Sequence, residues 1–433
     1  MAKIAVIQAR EVLDSRGNPT LEVEVALEDG SVGLAIVPSG ASTGTHEAVE
    51  LRDGDLNRYH GEGMIKAIRS VEWEIAPVLV GAEASDQTLV DDRLIQFDRT
   101  PNKRRLGANA ILGVSLAAAR AAATSARLPL YRYLGGAAAR ELPVPMVNIM
   151  SGGIHGGGNI DFQDFMMIPL RAASYSEALA DVNAVYRATK QVLMERGVYR
   201  AGVADEGGYA PALESNESGF DIMVAAMERA GFKPGKDAAI AVDVAASHFY
   251  QRRSYHLSVG DEDLSADDMV ERLANCVERY PIFSIEDGLD EEDWEGWKTL
   301  TDRLGDRCQL IGDDLFVTHH DRLEKGIEAG IANAILVKIN QIGTLTEALD
   351  VATLARRNGY QTVISARSGE TEDDFIADLA VATGASLIKV GAITRSERLA
   401  KYNRLKRIEE ELGSYGLYRG AEVFEGVLEA KSS

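Results

Sequence analysis

Six charged residues in the second half of the chain share one position, because each ends a short apolar run. The first three are acids and the next three are cations: Asp243, Glu286, Asp313, Lys338, Arg367 and Lys389. Successive members are 22 to 43 residues apart, about the length of one strand–helix unit. If the runs are neighbouring strands of a parallel barrel, their carboxyl ends converge and the six side chains face one pocket.

Three carboxylates in one pocket would repel one another and raise each other's pKa. A hard divalent cation removes that repulsion, and a ligand set made only of oxygens favours Mg²⁺ over zinc. The alternative is that one or two of the acids cap the next helix or pair with a surface lysine. Three acids at matching strand ends favour the metal site.

The three cations suit an anionic substrate that bridges the metal and the basic side of the pocket. Arg367 and Ser368 precede a predicted helix start at Thr371, where a phosphate could bind. Lys338 follows an apolar strand and would lie near the metal. Both effects lower the pKa of a lysine and suit it as a general base, although an ordinary salt bridge to the carboxylates is also compatible with its position.

One further acid, Glu206, lies in the turn sequence DEGG (205–208), which also suits a plain surface turn. Together these groups fit the abstraction of a proton next to a carboxylate. Lys338 would be the base, Mg²⁺ would hold the enolate charge and an acid would assist the leaving group.

The elements that must position these groups repeat as an apolar run followed by a capped helix. The helix-start signals are Ser265 with Asp268, Thr344 with Glu347, and Thr371 with Asp374. Continuous apolar strands predict a parallel sheet buried on both faces, and charges at their carboxyl ends predict a TIM-like α/β barrel. A doubly wound open sheet is the second choice, but the glycines of 154–159 match no nucleotide-binding motif.

Ahead of the barrel, the sequence predicts a small α+β capping domain. We expect this domain over residues 1–135 and the catalytic barrel over 140–433. Strands are predicted at 4–10 and 20–27, followed by helices. The segment 37–55 is rich in Gly, Ser and Thr, which predicts a mobile loop.

Composition limits the partners and the location. The 433 residues include 46 Lys and Arg against 67 Asp and Glu, and the net charge of −21 argues against nucleic-acid binding. The most apolar stretch, 108–126, is interrupted by Arg120, so we expect a packed helix rather than a membrane span. Cys276 and Cys308 match no disulfide pattern and the first residues match no signal peptide, which predicts a soluble cytoplasmic protein.

Along nearly its whole length the sequence resembles the enolase (phosphopyruvate hydratase) family. The matching stretches, in the family's order, are EVLDSRGNPT, VPSGASTG, ELRDGD, LGANAILGVSLA, DEGGYAP, SIEDGLDEEDW, GDDLFVT, KINQIG, RSGETED and AKYNRLKRIEE. The resemblance implies a small α+β domain followed by a modified eight-stranded α/β barrel, usually assembled as a homodimer or higher homo-oligomer. It also implies a substrate of the 2-phosphoglycerate or phosphoenolpyruvate type, two Mg²⁺ ions per site, and the lysine base that the enolase superfamily is known for.

The resemblance further implies roles for individual residues. The first Mg²⁺ would be held by Asp243, Glu286 and Asp313. A second Mg²⁺ would join Ser42 when the loop closes over substrate. Lys338 would remove the C2 proton and Glu206 would assist hydroxide departure, beside the catalytic Asp164 and His155. The groups in contact with substrate carboxylate and phosphate would be His155, Gln163, Arg367, Ser368 and Lys389.

Three positions depart from the family pattern. Asp164 stands where the family has glutamate, Ala366 replaces a pocket-lining histidine, and Ala204 replaces the glycine before the DEGG turn. The metal, base and phosphate groups are intact, while the leaving-group side is altered. This leaves open an ordinary enolase or a diverged paralogue of phosphonate biosynthesis, such as carboxyphosphonoenolpyruvate synthase, whose substrate is a phosphonate carboxylate. A non-catalytic enolase-fold binding protein is the alternative of another class.

Overall fold

The computed structural model describes residues 2–41 and 43–432. Its N-terminal part is an antiparallel meander of β1 (Ile4–Leu13), β2 (Pro19–Leu27) and β3 (Val32–Ile36). The first two strands match the sequence prediction with extended bounds. The prediction lacks β3, because the five residues VGLAI are too few to show a clear period.

Five helices follow the meander and complete the N-terminal domain. They are α1 (Ile65–Arg69), α2 (Ala76–Leu79), α3 (Gln87–Asp98), α4 (Ala108–Ser125) and α5 (Leu130–Gly135). The apolar stretch of the sequence forms α4, which is buried over most of its surface against β2 and β3. Small residues permit this close packing, since a Cβ on Gly33 would lie 2.1 Å from the carbonyl oxygen of Ala117. None of the described helices is long and apolar enough to span a membrane.

The rest of the chain builds a closed eight-stranded barrel. In chain order the strands of this part are β4 (Glu141–Leu142), β5 (Val144–Ser151), β6 (Asp164–Pro169), β7 (Ala238–Asp243), β8 (Tyr250–Gln251), β9 (Ser254–Leu257), β10 (Glu262–Leu264), β11 (Ile282–Glu286), β12 (Gln309–Gly312), β13 (Ala334–Val337), β14 (Gln361–Ser365), β15 (Leu387–Gly391) and β16 (Leu417–Tyr418). Strands β5, β6, β7 and β11 to β15 close the barrel in that order. Strands β8 to β10 form a small separate sheet, and β16 pairs with β4.

Helices cover the outside of the barrel. They are α6 (Tyr175–Glu195), α7 (Asn216–Arg229), α8 (Ala266–Arg279), α9 (Trp294–Leu304), α10 (His320–Ala329), α11 (Ile339–Ile342), α12 (Leu345–Arg357), α13 (Phe375–Thr383), α14 (Ser396–Leu412) and α15 (Glu425–Ser432). The predicted caps at Ser265 and Thr344 are confirmed, because each side chain accepts the backbone N–H three residues on. The predicted cap at Thr371 is wrong. Helix α13 begins only at Phe375, whose N–H is bonded at 2.8 Å to Asp373.

The sheet is not wholly parallel, which corrects the prediction from the continuous apolar strands. β6 runs antiparallel to both β5 and β7, while the other neighbouring pairs are parallel. No helix intervenes between β5 and β6, and a short connection without a helix joins antiparallel neighbours. β6 therefore places its first residue, rather than its last, at the end of the barrel where the other strands finish.

A partly buried ion pair joins the two domains beside the start of loop 37–55. The guanidinium of Arg120 on α4 donates to both carboxylate oxygens of Asp373, at 2.6 and 2.9 Å. Asp373 also accepts the backbone N–H of Ile36 at 2.9 Å. Burial alone would raise the pKa of Asp373, but Arg120 lowers it overall. This carboxylate therefore holds α4 and the last residue of β3 against the barrel.

We predict that Asp373→Asn lowers the free energy of unfolding by about 1–3 kcal/mol, because it leaves the partly buried Arg120 without its full counter-charge. The matched control is Asp374→Asn, since Asp374 is 36% exposed and contacts Arg120 at 3.0 Å through one oxygen. That control should cost less than about 1 kcal/mol. Urea unfolding of both variants provides the measurement, and equal losses would contradict the assignment.

Candidate active site

The carboxyl ends of the barrel strands gather nearly all of the predicted site residues. Asp243 and Glu286 are the last residues of β7 and β11, while Asp313 and Lys338 directly follow β12 and β13. Lys389 lies within β15. The reversed β6 contributes its first residue, Asp164, which pairs in register with Asp243 and Ser151. Ser42 lies outside the described residues.

Each of the three predicted metal ligands forms an ion pair with a lysine. The ammonium of Lys389 bridges Asp243 at 2.9 Å and Glu286 at 2.7 Å, and Lys338 forms an ion pair with Asp313. Oε2 of Glu286 is buried without a hydrogen-bond partner. The donor set is made only of oxygens, it includes an unsatisfied carboxylate oxygen, and it already attracts cationic groups. These properties fit Mg²⁺.

The electrostatics show how crowded this group is. Burial, together with the nearby Asp243, raises the pKa of Glu286 well above its usual range. Burial would also raise the pKa of Asp243, but Lys389 lowers it overall. Burial would lower the pKa of Lys389, yet Asp243 and Glu286 raise it well above normal. The lysine charge therefore compensates two carboxylates that would otherwise be destabilised in the same low-dielectric space.

The pKa of Lys338 is raised in this structure, so the low pKa expected beside a metal stays a prediction. Burial does favour the neutral amine, but the Asp313 carboxylate outweighs it and raises the pKa of Lys338. The prediction of a low pKa rested on burial and a nearby metal, and a direct ion pair was the compatible alternative. A base role for Lys338 therefore requires that Asp313 be engaged elsewhere.

Asp287 is a positioning residue that the sequence analysis missed. Its two carboxylate oxygens accept the backbone N–H groups of Asp313 at 2.9 Å and Asp314 at 2.8 Å. Burial and the neighbouring acids raise the pKa of Asp287 well above normal, and they raise the pKa of Asp314 to about 8. The only sequence signal for Asp287 is its place in the motif SIEDG, directly after the predicted ligand Glu286. A single acid after a strand end has no pattern that indicates its role.

A second group, on the β5–β6 side, consists of His155, Asp164 and Glu206, each of which offers a ligand atom within 4.8 Å of the others. Nδ1 of His155 lies 3.0 Å from Asp164. Asp164 also accepts hydrogen bonds from Asn148 at 2.6 Å and Ser151 at 2.8 Å. Three partners thus fix the shorter carboxylate in one orientation.

The pKa shifts within this second group differ between the histidine and the two acids. Burial by itself would lower the pKa of His155, but Asp164 and Glu206 raise it to about 9. Burial raises the pKa of Asp164, whereas His155 and Arg398 help to lower the pKa of Glu206 despite its burial. The directions of these pKa shifts favour a proton on His155 over a proton on Glu206, the predicted acid.

The predicted anion-binding residues Arg367 and Ser368 lie together, with a loop from the other domain against them. Arg367 donates to Glu47 of that loop at 2.9 and 3.1 Å and to Asn340 at 2.9 Å. Ser368 Oγ accepts the N–H of Ala41 at 2.7 Å. No helix begins at Thr371, so the basic and hydroxyl side chains, rather than a helix N-terminus, provide the site. Loop 37–55, predicted to be mobile, is docked on the barrel here.

The last predicted contact, Gln163, lies directly before β6. Its Nε2 donates to Asp243 at 3.2 Å, and its Oε1 is buried without a hydrogen-bond partner. Gln163 therefore connects the group around Asp164 with the carboxylates around Lys389.

Comparison with protein families agrees with this architecture. Residues 4–134 match the model of the enolase N-terminal domain, and residues 139–427 match that of the enolase C-terminal TIM barrel domain. The chain belongs to the enolase family. The predicted family and fold class, a small α+β domain followed by a modified eight-stranded α/β barrel, are therefore confirmed.

The altered residues lie at different strands of the barrel: Asp164 begins β6, Ala366 directly follows β14, and Ala204 precedes the DEGG turn. Ala366 is buried at the end of β14, with its N–H bonded to Lys389 O at 2.9 Å. Its methyl group neither donates nor accepts a hydrogen bond, so the polar contribution of the family's histidine is lost. Ala204 is buried and closes the DEGG turn through its carbonyl, which accepts the N–H of Gly207 at 2.9 Å.

The raised pKa of His155 makes stability depend on pH in protein freed of metal with a chelator. Because the folded pKa of about 9 exceeds the unfolded value, this stabilisation is complete below about pH 6.5 and is lost as pH rises through 9. We expect the contribution to be roughly 1–3 kcal/mol. The measurement compares the free energy of unfolding at about pH 6 and about pH 10 in the wild type and in His155→Gln. The fall between the two pH values should be smaller in the variant by this amount.

The matched control for this titration is His256→Gln. His256 also pairs with an aspartate, Asp263, at 2.9 Å, but it is 48% exposed. Its removal should leave the pH dependence as in the wild type. A His155→Gln profile parallel to that of the wild type would show that His155 does not hold the proton.

Proposed function

We propose that this protein is a Mg²⁺-dependent enolase-family lyase that acts on a 2-phosphoglycerate or phosphoenolpyruvate-type substrate. The default reaction is dehydration of 2-phosphoglycerate to phosphoenolpyruvate. The observation that carries the proposal is the convergence of a lysine, an oxygen-only ligand set and an anion-binding arginine at one end of the barrel. Family membership also supports a homodimer or higher homo-oligomer and a cytoplasmic location as parts of this proposal.

Substrate binding would use the two charged sides of the pocket. Arg367 and Ser368 would hold the phosphate through charge-assisted and hydroxyl hydrogen bonds. The substrate carboxylate would lie towards Lys389 and the ligands Asp243, Glu286 and Asp313. Bound to those carboxylates, Mg²⁺ would neutralise the negative charge that develops on the substrate carboxylate and would compete with the Lys338 ammonium for Asp313.

Lys338 would remove the proton at C2 as the neutral amine. Its surroundings favour that form once Asp313 is engaged, because burial and the positive charges of Arg367 and Lys389 all lower the pKa of Lys338. The C–H bond breaks, its electron pair passes to the carboxylate as an enolate, and the proton stays on Nζ of Lys338.

The leaving hydroxide would be protonated from the opposite side of the pocket. His155 carries a proton there, and Asp164 fixes the orientation of its ring. Glu206 faces the same space and stabilises the imidazolium. The His155–Asp164 pair is thus a further candidate proton donor beside Glu206, whose predicted acid role stays a prediction.

A second candidate is a paralogue that performs a different reaction on the same kind of enol phosphate or phosphonate substrate. The buried methyl group of Ala366 and the shortened Asp164 favour it, because both replace a longer polar side chain of the family pattern with a shorter one. Displacing a catalytic group by about 1 Å can cost on the order of 10²-fold in rate. A paralogue of phosphonate metabolism, such as carboxyphosphonoenolpyruvate synthase, fits this pattern.

The decisive test supplies 2-phosphoglycerate with Mg²⁺ and follows phosphoenolpyruvate by its absorbance. We expect turnover in the wild type and a loss of about 10²–10⁴-fold in kcat for Lys338→Ala, which removes the base. Lys298→Ala is the matched control, since Lys298 is an exposed partner of Asp302 on α9. Equal activity of the wild type and Lys338→Ala would rule out this mechanism.

The two candidate reactions are distinguished by restoring the family residues. If the wild type is inactive on 2-phosphoglycerate and Asp164→Glu with Ala366→His gains activity, the paralogue is favoured. If the wild type turns over and the double variant gains less than about tenfold, the ordinary dehydration is favoured. Absence of activity in all forms would favour a binding protein without catalysis.

A further inference from the structure

Glu47 is a buried acid of loop 37–55 to which neither the sequence analysis nor the proposed mechanism gives a role. Its side chain is only 7% exposed, and that of Arg367 only 3%. The two carboxylate oxygens of Glu47 accept one hydrogen bond each from the two terminal nitrogens of Arg367. This bidentate geometry is the one by which arginine also holds a phosphate.

We propose that Glu47 is an internal anion that occupies Arg367 when no substrate is bound, and that the substrate phosphate must displace it. The inference rests on the proposed function only for assigning an anionic group of the substrate to Arg367. Glu47 is thus a positioning residue that sets the affinity for that group.

Charge makes the two anions competitors. A buried guanidinium needs a counter-charge, and its pKa is raised chiefly by Glu47 against the effect of burial. The edge formed by the two terminal nitrogens can hold only one bidentate acid, and Asn340 already accepts from one of them. A second anion beside Glu47 would also repel it, so occupation by one favours release of the other.

The displaced side chain has a polar place to go. Glu47 lines a cavity of about 280 Å³ together with Lys103, His319, Arg322 and other residues of both domains. A carboxylate that leaves Arg367 can turn into this polar cavity, where Lys103 and Arg322 already pair with Glu347 and Glu292, rather than into an apolar core. The loop can therefore remain near the barrel while Glu47 changes partner.

Glu47 is also connected to the predicted metal ligand Asp313 through Gln341. Nε2 of Gln341 lies 3.3 Å from Oε1 of Glu47 and donates to Asp313 at 2.9 Å. Asp313 in turn pairs with Lys338. Release of Glu47 thus leaves Gln341 with Asp313 as its remaining carboxylate partner, which connects phosphate arrival with the environment of the base.

The test measures binding of inorganic phosphate by calorimetry at a fixed Mg²⁺ concentration. Glu47→Gln keeps the shape and the acceptor oxygen but removes the charge. We expect it to bind phosphate about 3- to 10-fold more tightly than the wild type, because a larger fraction of the protein has Arg367 available. Glu47→Asp keeps the charge with a shorter reach, and its affinity should lie between the two.

Glu50→Gln is the matched control. Glu50 is in the same loop, and its carboxylate also acts on Arg367 at longer range, but its direct partners are Arg52 at 2.7 Å and Ser39 at 3.1 Å. Removing its charge should change phosphate affinity by less than about twofold, since screening weakens longer-range effects. In addition, amide exchange in 43–48 without phosphate should be faster for Glu47→Gln than for the wild type.

Phosphate affinity in Glu47→Gln and Glu47→Asp that equals or falls below that of the wild type would overturn the inference. An equal gain in Glu50→Gln would also overturn it, because the effect would then be general electrostatics. Turnover of 2-phosphoglycerate is a separate measurement. Tighter phosphate binding without any turnover removes the proposed reaction but keeps the inference, whereas turnover with unchanged phosphate affinity does the opposite.

Discussion

The cost of burying charge at the carboxyl end of the barrel governs the rest of this site. Asp243, Glu286 and Asp313 are taken from water together, and desolvation with mutual repulsion raises the pKa of Glu286 well above its usual range. Lys389 between two of the acids and Lys338 on the third supply the compensating charge. The same carboxylates suit Mg²⁺, so under the proposed function lysine ammonium groups and the metal ion would compete for one set of oxygens.

The N-terminal domain takes part in this charge balance. Asp373 holds Arg120 of α4 and the N–H of Ile36, which fixes the start of loop 37–55 against the barrel. From that position the loop brings Glu47 to Arg367. An arginine buried in the barrel is thus neutralised by an acid from the other domain. Because of this contact, domain packing and anion affinity depend on each other.

The leaving-group side follows the same electrostatic logic with a different result. Asp164 forms hydrogen bonds with Asn148, Ser151 and His155. Together with Glu206 it raises the pKa of His155 to about 9. The base side keeps the residues of the family pattern, whereas Asp164 and Ala366 depart from it. Under the proposed function, how a proton reaches the leaving group would distinguish dehydration from another reaction of an enol substrate.

The sequence alone determined the family, the fold class and most of the residues at the pocket. Apolar runs that end in Asp243, Glu286 and Asp313 report strand ends directly, because a buried parallel strand must be apolar until it reaches the open end of the barrel. The helix caps at Ser265 and Thr344 could also be predicted, because each cap depends on a hydrogen bond to a residue three positions further along the chain. These features depend on neighbours in the chain.

What only the tertiary structure decided depends on neighbours in space. The reversal of β6 brings Asp164 to the pocket by its first residue, and the ion pair with Asp313 raises the pKa of Lys338 that burial alone would lower. Glu47 meets Arg367 across 320 residues of sequence. Long-range Coulomb interactions in a low-dielectric interior set these protonation states, and no local pattern encodes which distant charge will lie nearest.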